Sequence, residues 1–355
     1  MYKKLYHKWK AMKLVYKVVS LITIFLIILV LSNCKLMIYG IQQGAGQISI
    51  LRNAEPIEKL LNDTLTSDSL KQKLILVGKI KKYAEDTLGL NPSKNYNTLY
   101  DQKGKDILWV VVAAQKFKME TYEWKFPFLG KVPYKGYFDY EKALKEAQKM
   151  KADGFDVRIG TVSAWSTLGF FKDPILSEML NQSEGMIARL LIHELTHSTL
   201  YVKGNSQFNE NLATFVGNQG AKLYLVDKYG ADSEEYLDYL GELSDIELFS
   251  AYVLRGAKQL DSLYNSFTDE TIAEKIKQKN ELISKIVNNI DTVQFYAKHN
   301  FTRFKNPDNL PNNAFFVGYI TYHKNQDELS KQFTDEFNSN FREYLAFLKS
   351  KYKSL

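Results

Sequence analysis

Cysteine is almost absent from this chain, since Cys34 is the single cysteine among 355 residues. An intramolecular disulfide is therefore excluded. The sequence also has no internal repeat and no low-complexity segment. Its hydrophobic content of 45% is ordinary for a globular protein and excludes extensive disorder. The length fits one large domain or two modest ones.

Net charge is nearly absent from the body of the chain, although the whole chain carries +7. Six lysines lie within residues 1–34, a segment without any acidic residue. Removing these six from the 47 basic residues leaves 41, against 40 acidic residues. A nearly neutral body gives no indication of nucleic-acid binding, so no nucleic-acid partner is predicted.

Residues 1–34 have the layout of a secretion leader. A lysine-rich stretch precedes an apolar run from Val18 to Leu31. This run is short for a membrane span, which needs about 20 residues, but it suits a signal peptide. It ends in Leu31-Ser32-Asn33-Cys34, which resembles a bacterial lipobox. We therefore predict lipidation of Cys34, with an uncleaved N-terminal anchor as the alternative. Both place the body in the cell envelope, outside the cytoplasm and tethered to a membrane.

Local patterns divide the rest of the chain into three parts. Residues 35–55 contain glycine and glutamine and are predicted to be a connector. Residues 56–182 mix helical and strand patterns, and residues 183–355 are almost entirely helical in pattern. This order predicts an α+β fold, with one domain over 56–355 that has a small mixed sheet in front and a helical back half. The predicted strands include Ile107–Ala114 and Phe155–Val162; the predicted helices of the back half are 184–203, 207–229, 233–264, 268–297, 313–324 and 326–350.

The segment His193-Glu194-Leu195-Thr196-His197 carries the clearest chemical signal. Residues four apart lie on one face of a helix, so two imidazoles can point at one metal ion. Glu194 is rotated away from that face and can instead reach a water on the open side of the metal. The surrounding stretch, Arg189–Leu200, is helical in pattern and largely apolar. We expect a capping box of Asn181 and Glu184 at the start of this helix.

Glu210 is the candidate for a third ligand, because catalytic zinc sites usually have three protein ligands and a water. A turn over 201–205 followed by a second helix, capped by Ser206, would place Glu210 opposite the two histidines. Ala213 and Gly217 lie one and two turns further on. Their small size would let the two helices approach closely. The ligand types favour zinc as the metal.

A reaction follows from this ligand set. Zinc lowers the pKa of a coordinated water toward roughly 7. Glu194 would take the proton as the water attacks a peptide carbonyl, and would then pass it to the leaving amine. A further donor must stabilise the developing oxyanion. Tyr319 and Tyr322 are candidates for that role, and so are Tyr134 and Tyr137.

The motif and its surroundings resemble the gluzincin metallopeptidases, in which HExxH is followed by Asn-Glu-x-x-Ala, here Asn209 to Ala213. More closely, the chain resembles a bacterial family of predicted lipoprotein aminopeptidases. This resemblance implies a zincin-like fold, one zinc ion bound by His193, His197 and Glu210, catalysis by Glu194, and peptide hydrolysis from the N-terminus. The matching segments are GQISILRNAEPI (46–57), FPFLGKVPYKGYFD (126–139), WSTLGFFKDP (165–174), IHELTHSTLYVKGNSQFNENLATFV (192–216) and NNAFFVGYITYH (312–323).

Two departures from the aminopeptidase pattern keep other functions open. The Gly-x-Met-Glu-Asn motif that holds the substrate amine in aminopeptidase N-like enzymes is absent from the sequence. The spacing from His197 to Glu210 is also shorter than in that group. A zinc endopeptidase of narrow specificity is therefore an alternative. A second alternative is a catalytically silent envelope lipoprotein whose helical half binds a partner.

Overall fold

The computed structural model describes residues 16–21, 34–126, 130–161, 172–297, 301, 304–306, 310–322 and 326–352. The chain divides into two compact units, 1–49 and 50–355. The predicted connector is helical, since helix α1 covers Cys34–Asn53. Much of the predicted leader, including Leu31-Ser32-Asn33, lies outside the described residues. Within the described ranges, every helix is too short or too polar to traverse a lipid bilayer.

The described strands all lie in the front half, as predicted, but they form three small sheets instead of one. Pairing joins strands from distant parts of the chain, as when Leu99 pairs with Ile175. The first sheet has the order β1-β2-β8, the second β6-β3-β7, and the third pairs β4 with β5. The strands are β1 Glu55–Pro56, β2 Thr98–Tyr100, β3 Trp109–Ala114, β4 Trp124–Phe126, β5 Gly130–Val132, β6 Lys135–Tyr137, β7 Asp156–Thr161 and β8 Ile175–Leu176.

Strand β3 is the centre of the second sheet. Its Val-rich sequence suits a position between two neighbours, and it pairs antiparallel with both β6 and β7. Strand β7 is therefore an edge strand of that sheet within the described residues. The mixed α+β character that the sequence predicts is confirmed.

Helices make up most of the described chain, and those of the back half follow the predicted order. Two short 3₁₀ helices, Ser177–Asn181 and Asn289–Thr292, connect elements. After α1, the α-helices are α2 Ile57–Asn62, α3 Asp68–Asp86, α4 Tyr140–Ala152, α5 Glu184–His197, α6 Ser206–Tyr229, α7 Glu234–Asn265, α8 Ile272–Asn288, α9 Asn313–Tyr322, α10 Gln326–Phe337 and α11 Phe341–Lys351.

Two hydrophobic clusters hold these helices. The larger one joins α3, α5, α6 and the C-terminal pair α10 and α11, and Leu191, Ile192 and Leu195 lie at its centre, fully buried. The smaller one packs α7 and α8 against α9 through rings such as Phe316. Helix α5 therefore has one face in the main core, which leaves its other face to carry polar residues.

Several predicted helix ends were wrong by a few residues. The predicted helix 326–350 is two helices, because Asn338 and Ser339 adopt positive φ angles that end α10. The cap of α5 is Ser183, whose side chain accepts a hydrogen bond from the Met186 amide. The predicted Asn181 cap was therefore wrong. Helix α6 is capped by Asn205, not by Ser206.

Candidate metal centre

Helix α5 ends at His197, several residues before the predicted end at 203. Two hydroxyl groups lie at this end: the side chains of Ser198 and Thr199 both donate to the Leu195 carbonyl at 2.9 Å. That carbonyl is an acceptor that a continuing helix would use for its own amide. The second histidine of the motif thus lies at the end of the helix, where the chain turns toward α6.

Asn209 fixes the turn that joins the two helices. Its side chain forms a pair of hydrogen bonds with the backbone of Val202: the Val202 amide donates to Oδ1 at 2.8 Å, and Nδ2 donates to the Val202 carbonyl at 2.9 Å. Asn209 is almost completely buried. The residue before Glu210 therefore clamps the turn and so sets the position of the Glu210 backbone. This role of Asn209 was not predicted from the sequence, where the only indication of it was the pair Asn209-Glu210.

The two helices approach most closely at Gly217. A Cβ atom built there would lie 2.7 Å from the Arg189 carbonyl oxygen and 3.2 Å from the His193 Cβ. The first distance is well inside van der Waals contact, and the atom it involves belongs to a helix backbone that cannot easily move. Ala213 is also fully buried. The expected close approach through small residues is therefore present.

We expect Gly217→Ala to destabilise the protein and weaken metal binding, because the new methyl group pushes α6 away from His193. The free energy of unfolding should fall by about 1–3 kcal/mol, the usual cost of overpacking. Gly78→Ala in α3 is the matched control, since nothing lies within 4 Å of a Cβ at Gly78. That control should be neutral or stabilising by up to about 1 kcal/mol, because alanine is the better helix former. Chemical denaturation and metal titration of both variants measure the difference; equal stability of the two would contradict the close approach.

The side chains of His193, His197 and Glu210 converge on one point. Their candidate ligand atoms all lie within 4.8 Å of one another, and together they form a group that could hold a metal ion. The His193 Nε2 atom lies 3.6 Å from one Glu210 oxygen, and the His197 Nε2 atom lies 3.7 Å from the other. The two imidazole rings are nearly perpendicular, with centroids 4.9 Å apart. The structure thus brings together the three residues that the sequence assigned as ligands.

These distances fit two ligands of one ion better than a hydrogen bond. Nitrogen and oxygen atoms that share a proton lie about 2.7–3.2 Å apart. Two ligands of a tetrahedral ion at about 2.1 Å are separated by about 3.4 Å, the edge of the tetrahedron. The measured 3.6 and 3.7 Å lie closer to the second value. Glu210 is about one-third exposed, so the group is open to solvent on one side.

The electrostatics also suit a cation. Burial, and next the neighbouring His193, lower the pKa of His197 to about 4, although Glu210 opposes this shift. Burial alone would raise the pKa of Glu210, but interactions with His193 and His197 outweigh it and leave that pKa below its ordinary value. At neutral pH His197 therefore has the neutral imidazole and Glu210 the carboxylate, which are the forms that bind a metal.

The metal-free protein should lose stability as the pH falls from about 6.5 toward 4. Because His197 has a folded pKa of about 4 against an ordinary 6.5, the unfolded chain takes up a proton before the folded one does. Stability from this residue is thus complete above 6.5 and falls by up to about 3 kcal/mol at lower pH. Denaturation measured between pH 7 and 4.5 tests this, and His197→Gln should flatten the pH dependence. An identical slope in the variant would contradict the assignment.

Glu194 and Tyr134 lie next to this group. Glu194 is adjacent to His193 in α5 and is buried, with 8% of its surface exposed. Tyr134 precedes strand β6, and 40% of its surface is exposed. The partial burial of its hydroxyl raises its pKa, and so do its neighbours Glu210 and Tyr201. The Tyr201 ring in turn lies 6.3 Å from the His197 ring, centroid to centroid. Tyr134 is thus one of the proposed tyrosines, and the charge of Glu210 acts on it.

The contacts described for the other proposed residues are with different parts of the protein, and some of these residues lie outside the described part. Tyr319 packs among Phe249 and Phe315 in the smaller hydrophobic cluster. Tyr137 donates a hydrogen bond to Glu146 at 3.0 Å. Tyr322 ends helix α9. The histidines of the chain that are not in the motif, His7, His299 and His323, lie outside the described residues.

The fold and the site define a mixed α+β protein in which two histidines and one glutamate, on a pair of consecutive helices, form a group that could hold a metal ion. A family model described as "Putative aminopeptidase" matches residues 38–354. The chain belongs to this family. Searches among curated proteins and among solved structures gave no match. The family resemblance seen in the sequence is thereby confirmed at the level of an aminopeptidase family.

Proposed function

We propose that this protein is a zinc-dependent aminopeptidase of the gluzincin type with a zincin-like fold. The convergence of His193, His197 and Glu210 carries the proposal, because it combines neutral imidazole and carboxylate ligands at distances suited to one ion. Family membership supports peptide hydrolysis as the reaction. Zinc, when bound there, would supply Lewis-acid polarisation of the peptide carbonyl.

The chain's own residues supply the proton transfers. Glu194 is one residue from His193 and therefore points away from the ligand face, toward the side on which a water and a peptide would meet. It accepts the proton of the attacking water at its carboxylate and delivers it to the departing amine. Its burial keeps bulk water from competing for that carboxylate.

An envelope location completes the proposal. Cys34 is the first residue of helix α1 and follows the lipobox-like segment, so a lipidated Cys34 would join the body to the membrane directly through that helix. Labelling with a radioactive fatty acid tests this. Incorporation that is lost in Cys34→Ser supports the lipid anchor, and membrane association without incorporation indicates an uncleaved N-terminal anchor instead.

One experiment tests the enzymatic part. The purified protein should contain about one zinc ion per chain and cleave residues from the free N-terminus of a peptide library. A chelator should abolish cleavage, and zinc should restore it. Cleavage of peptides with blocked N-termini would make the protein an endopeptidase. A zinc-loaded protein that cleaves no peptide of either kind would contradict hydrolysis and favour the silent binding protein.

We expect Tyr134→Phe to lower kcat by about 10²- to 10³-fold, because this change removes one oxyanion donor. The KM for peptide and the zinc content should change little, since the ring itself remains. Tyr319→Phe is the matched control, because Tyr319 lies among the rings of the smaller cluster. Steady-state kinetics of both variants show which of the two tyrosines contributes to catalysis. A large loss in Tyr319→Phe together with an active Tyr134→Phe would reverse the assignment.

A further inference from the structure

Arg189 lies on helix α5 four residues before His193, which places it one turn away on the same side of the helix. Its side chain is only partly exposed. Burial lowers its pKa, yet the guanidinium is charged at any physiological pH because its ordinary pKa is 12.5. The structure therefore holds a permanent positive charge on a residue whose backbone lies about 6 Å along the helix from that of His193.

The hydrogen bonding of this guanidinium is incomplete. Its Nε atom donates to the Asn218 side-chain oxygen at 2.7 Å. Asn218 follows Gly217, so this bond lies where α5 and α6 approach most closely. Over the described residues, the terminal nitrogens of Arg189 have no acceptor, and no carboxylate lies within ion-pair distance. The four N–H donors on the two terminal nitrogens of the guanidinium are thus available to a ligand.

Two fully buried cations of this protein have their donors satisfied by protein oxygens. Lys81 donates to three oxygens, those of Ser93, Asn95 and Asn97. Lys279 pairs with Asp156 and also donates to the Lys116 carbonyl. A buried charge without such partners is costly, and proteins normally satisfy it. Arg189 differs because it is partly exposed, so its terminal nitrogens are open to solvent and can be reached by an anionic ligand.

One further carboxylate acts on Arg189 without pairing with it. Glu247 of α7 attracts the guanidinium electrostatically. Glu247 is exposed, however, and is absent from the close ion pairs of the described residues. It lies near enough to attract Arg189 but leaves the terminal nitrogens accessible.

We propose that Arg189 binds a carboxylate of the peptide substrate and so makes the enzyme prefer acidic peptides. This inference rests on the proposed function. An extended peptide advances about 3.3–3.6 Å per residue, so one helical turn corresponds to one or two residues from the scissile bond. Both an acidic side chain and the C-terminal carboxylate of a short peptide can reach that far. The fork of the guanidinium suits either of them, because it can form two parallel hydrogen bonds with a carboxylate.

The test compares peptides that differ by one charge. One pair replaces glutamate by glutamine near the scissile bond, and the other replaces a free C-terminus by an amide. The wild-type protein should prefer the acid in at least one pair by about 10- to 100-fold in kcat/KM. Arg189→Gln should abolish that preference while neutral peptides are still cleaved. Arg189→Lys should keep only a part of it, because a lysine lacks the fork.

Arg255→Gln is the matched control, since Arg255 is exposed on α7 and loses the same charge. It should keep the preference. The ratio of two substrates does not depend on the folded fraction, so a partly unfolded Arg189→Gln preparation is still informative. An equal preference in wild type and Arg189→Gln would overturn the inference, as would a wild type that treats acid and neutral peptides alike.

Equilibrium binding separates this inference from the proposed function. Fluorescence anisotropy measures binding and requires no cleavage. Labelled forms of the same peptides are bound to the zinc-loaded wild-type protein, and the unlabelled pairs then compete with them. Tighter binding of the acid, lost in Arg189→Gln, would support the inference even where no peptide is hydrolysed. Hydrolysis without any preference in binding or kcat/KM would uphold the proposed function and overturn the role of Arg189.

Discussion

Glu194→Gln should lower peptide hydrolysis by about 10²- to 10⁴-fold, the usual contribution of a positioned general base, while the protein keeps its zinc. The amide has the shape of the carboxylate, so the two histidines and Glu210 should remain in place. It cannot take the proton of the attacking water, however, because a neutral amide is a far weaker base than a carboxylate. The measurements are steady-state kinetics on a peptide substrate and metal analysis of the same preparation.

The control for this variant is Glu235→Gln, which neutralises an exposed glutamate in the first turn of α7. It should have wild-type activity. Two results would contradict the predicted role of Glu194. Full activity in Glu194→Gln would remove Glu194 from the mechanism, and loss of zinc in that variant would mean that Glu194 is a ligand.

Glu210→Gln should weaken zinc binding by more than about 100-fold. Changes in residues that merely orient metal ligands already cost 10- to 100-fold in affinity, and Glu210 faces both imidazoles directly. The variant also loses a negative charge that offsets the charge of the ion. Competition with a chromophoric chelator measures the affinity. Activity should return at zinc concentrations high enough to fill the weakened site.

A second variant separates the ligand role from a purely structural one. His193→Ala should also lose zinc, and its loss should not be additive with that of Glu210→Gln, because both residues act on one ion. If Glu210→Gln bound zinc as tightly as wild type, two histidines and a different third ligand would form the site.

The sequence predicted the metal-binding group because its geometry is local. A spacing of four residues puts His193 and His197 on one helix face in any α-helix. The small residues Ala213 and Gly217 then indicated the side on which the second helix packs. The helix ends were less predictable, since Ser183 and Asn205 compete as caps with polar neighbours at similar energies.

Features that depend on distant partners could not be predicted. The strand pairing of Leu99 with Ile175 divides the strands into separate sheets, and no local pattern determines it. The hydrogen bond of Arg189 likewise depends on Asn218, which lies on the following helix. Asn209 was visible only as part of a motif, because its hydrogen bonds to Val202 exist only once the turn has formed.

All three metal-facing residues belong to two consecutive helices, α5 and α6, which a short turn connects. Bringing Glu210 to the histidines therefore requires closure of a loop of about a dozen residues, which has a small entropic cost and takes about 10–100 ns in a flexible chain. The sheets of the front half, by contrast, need contacts between distant segments and form more slowly. One local helical hairpin is thus sufficient to bring the three candidate ligands together, without any pairing between distant segments.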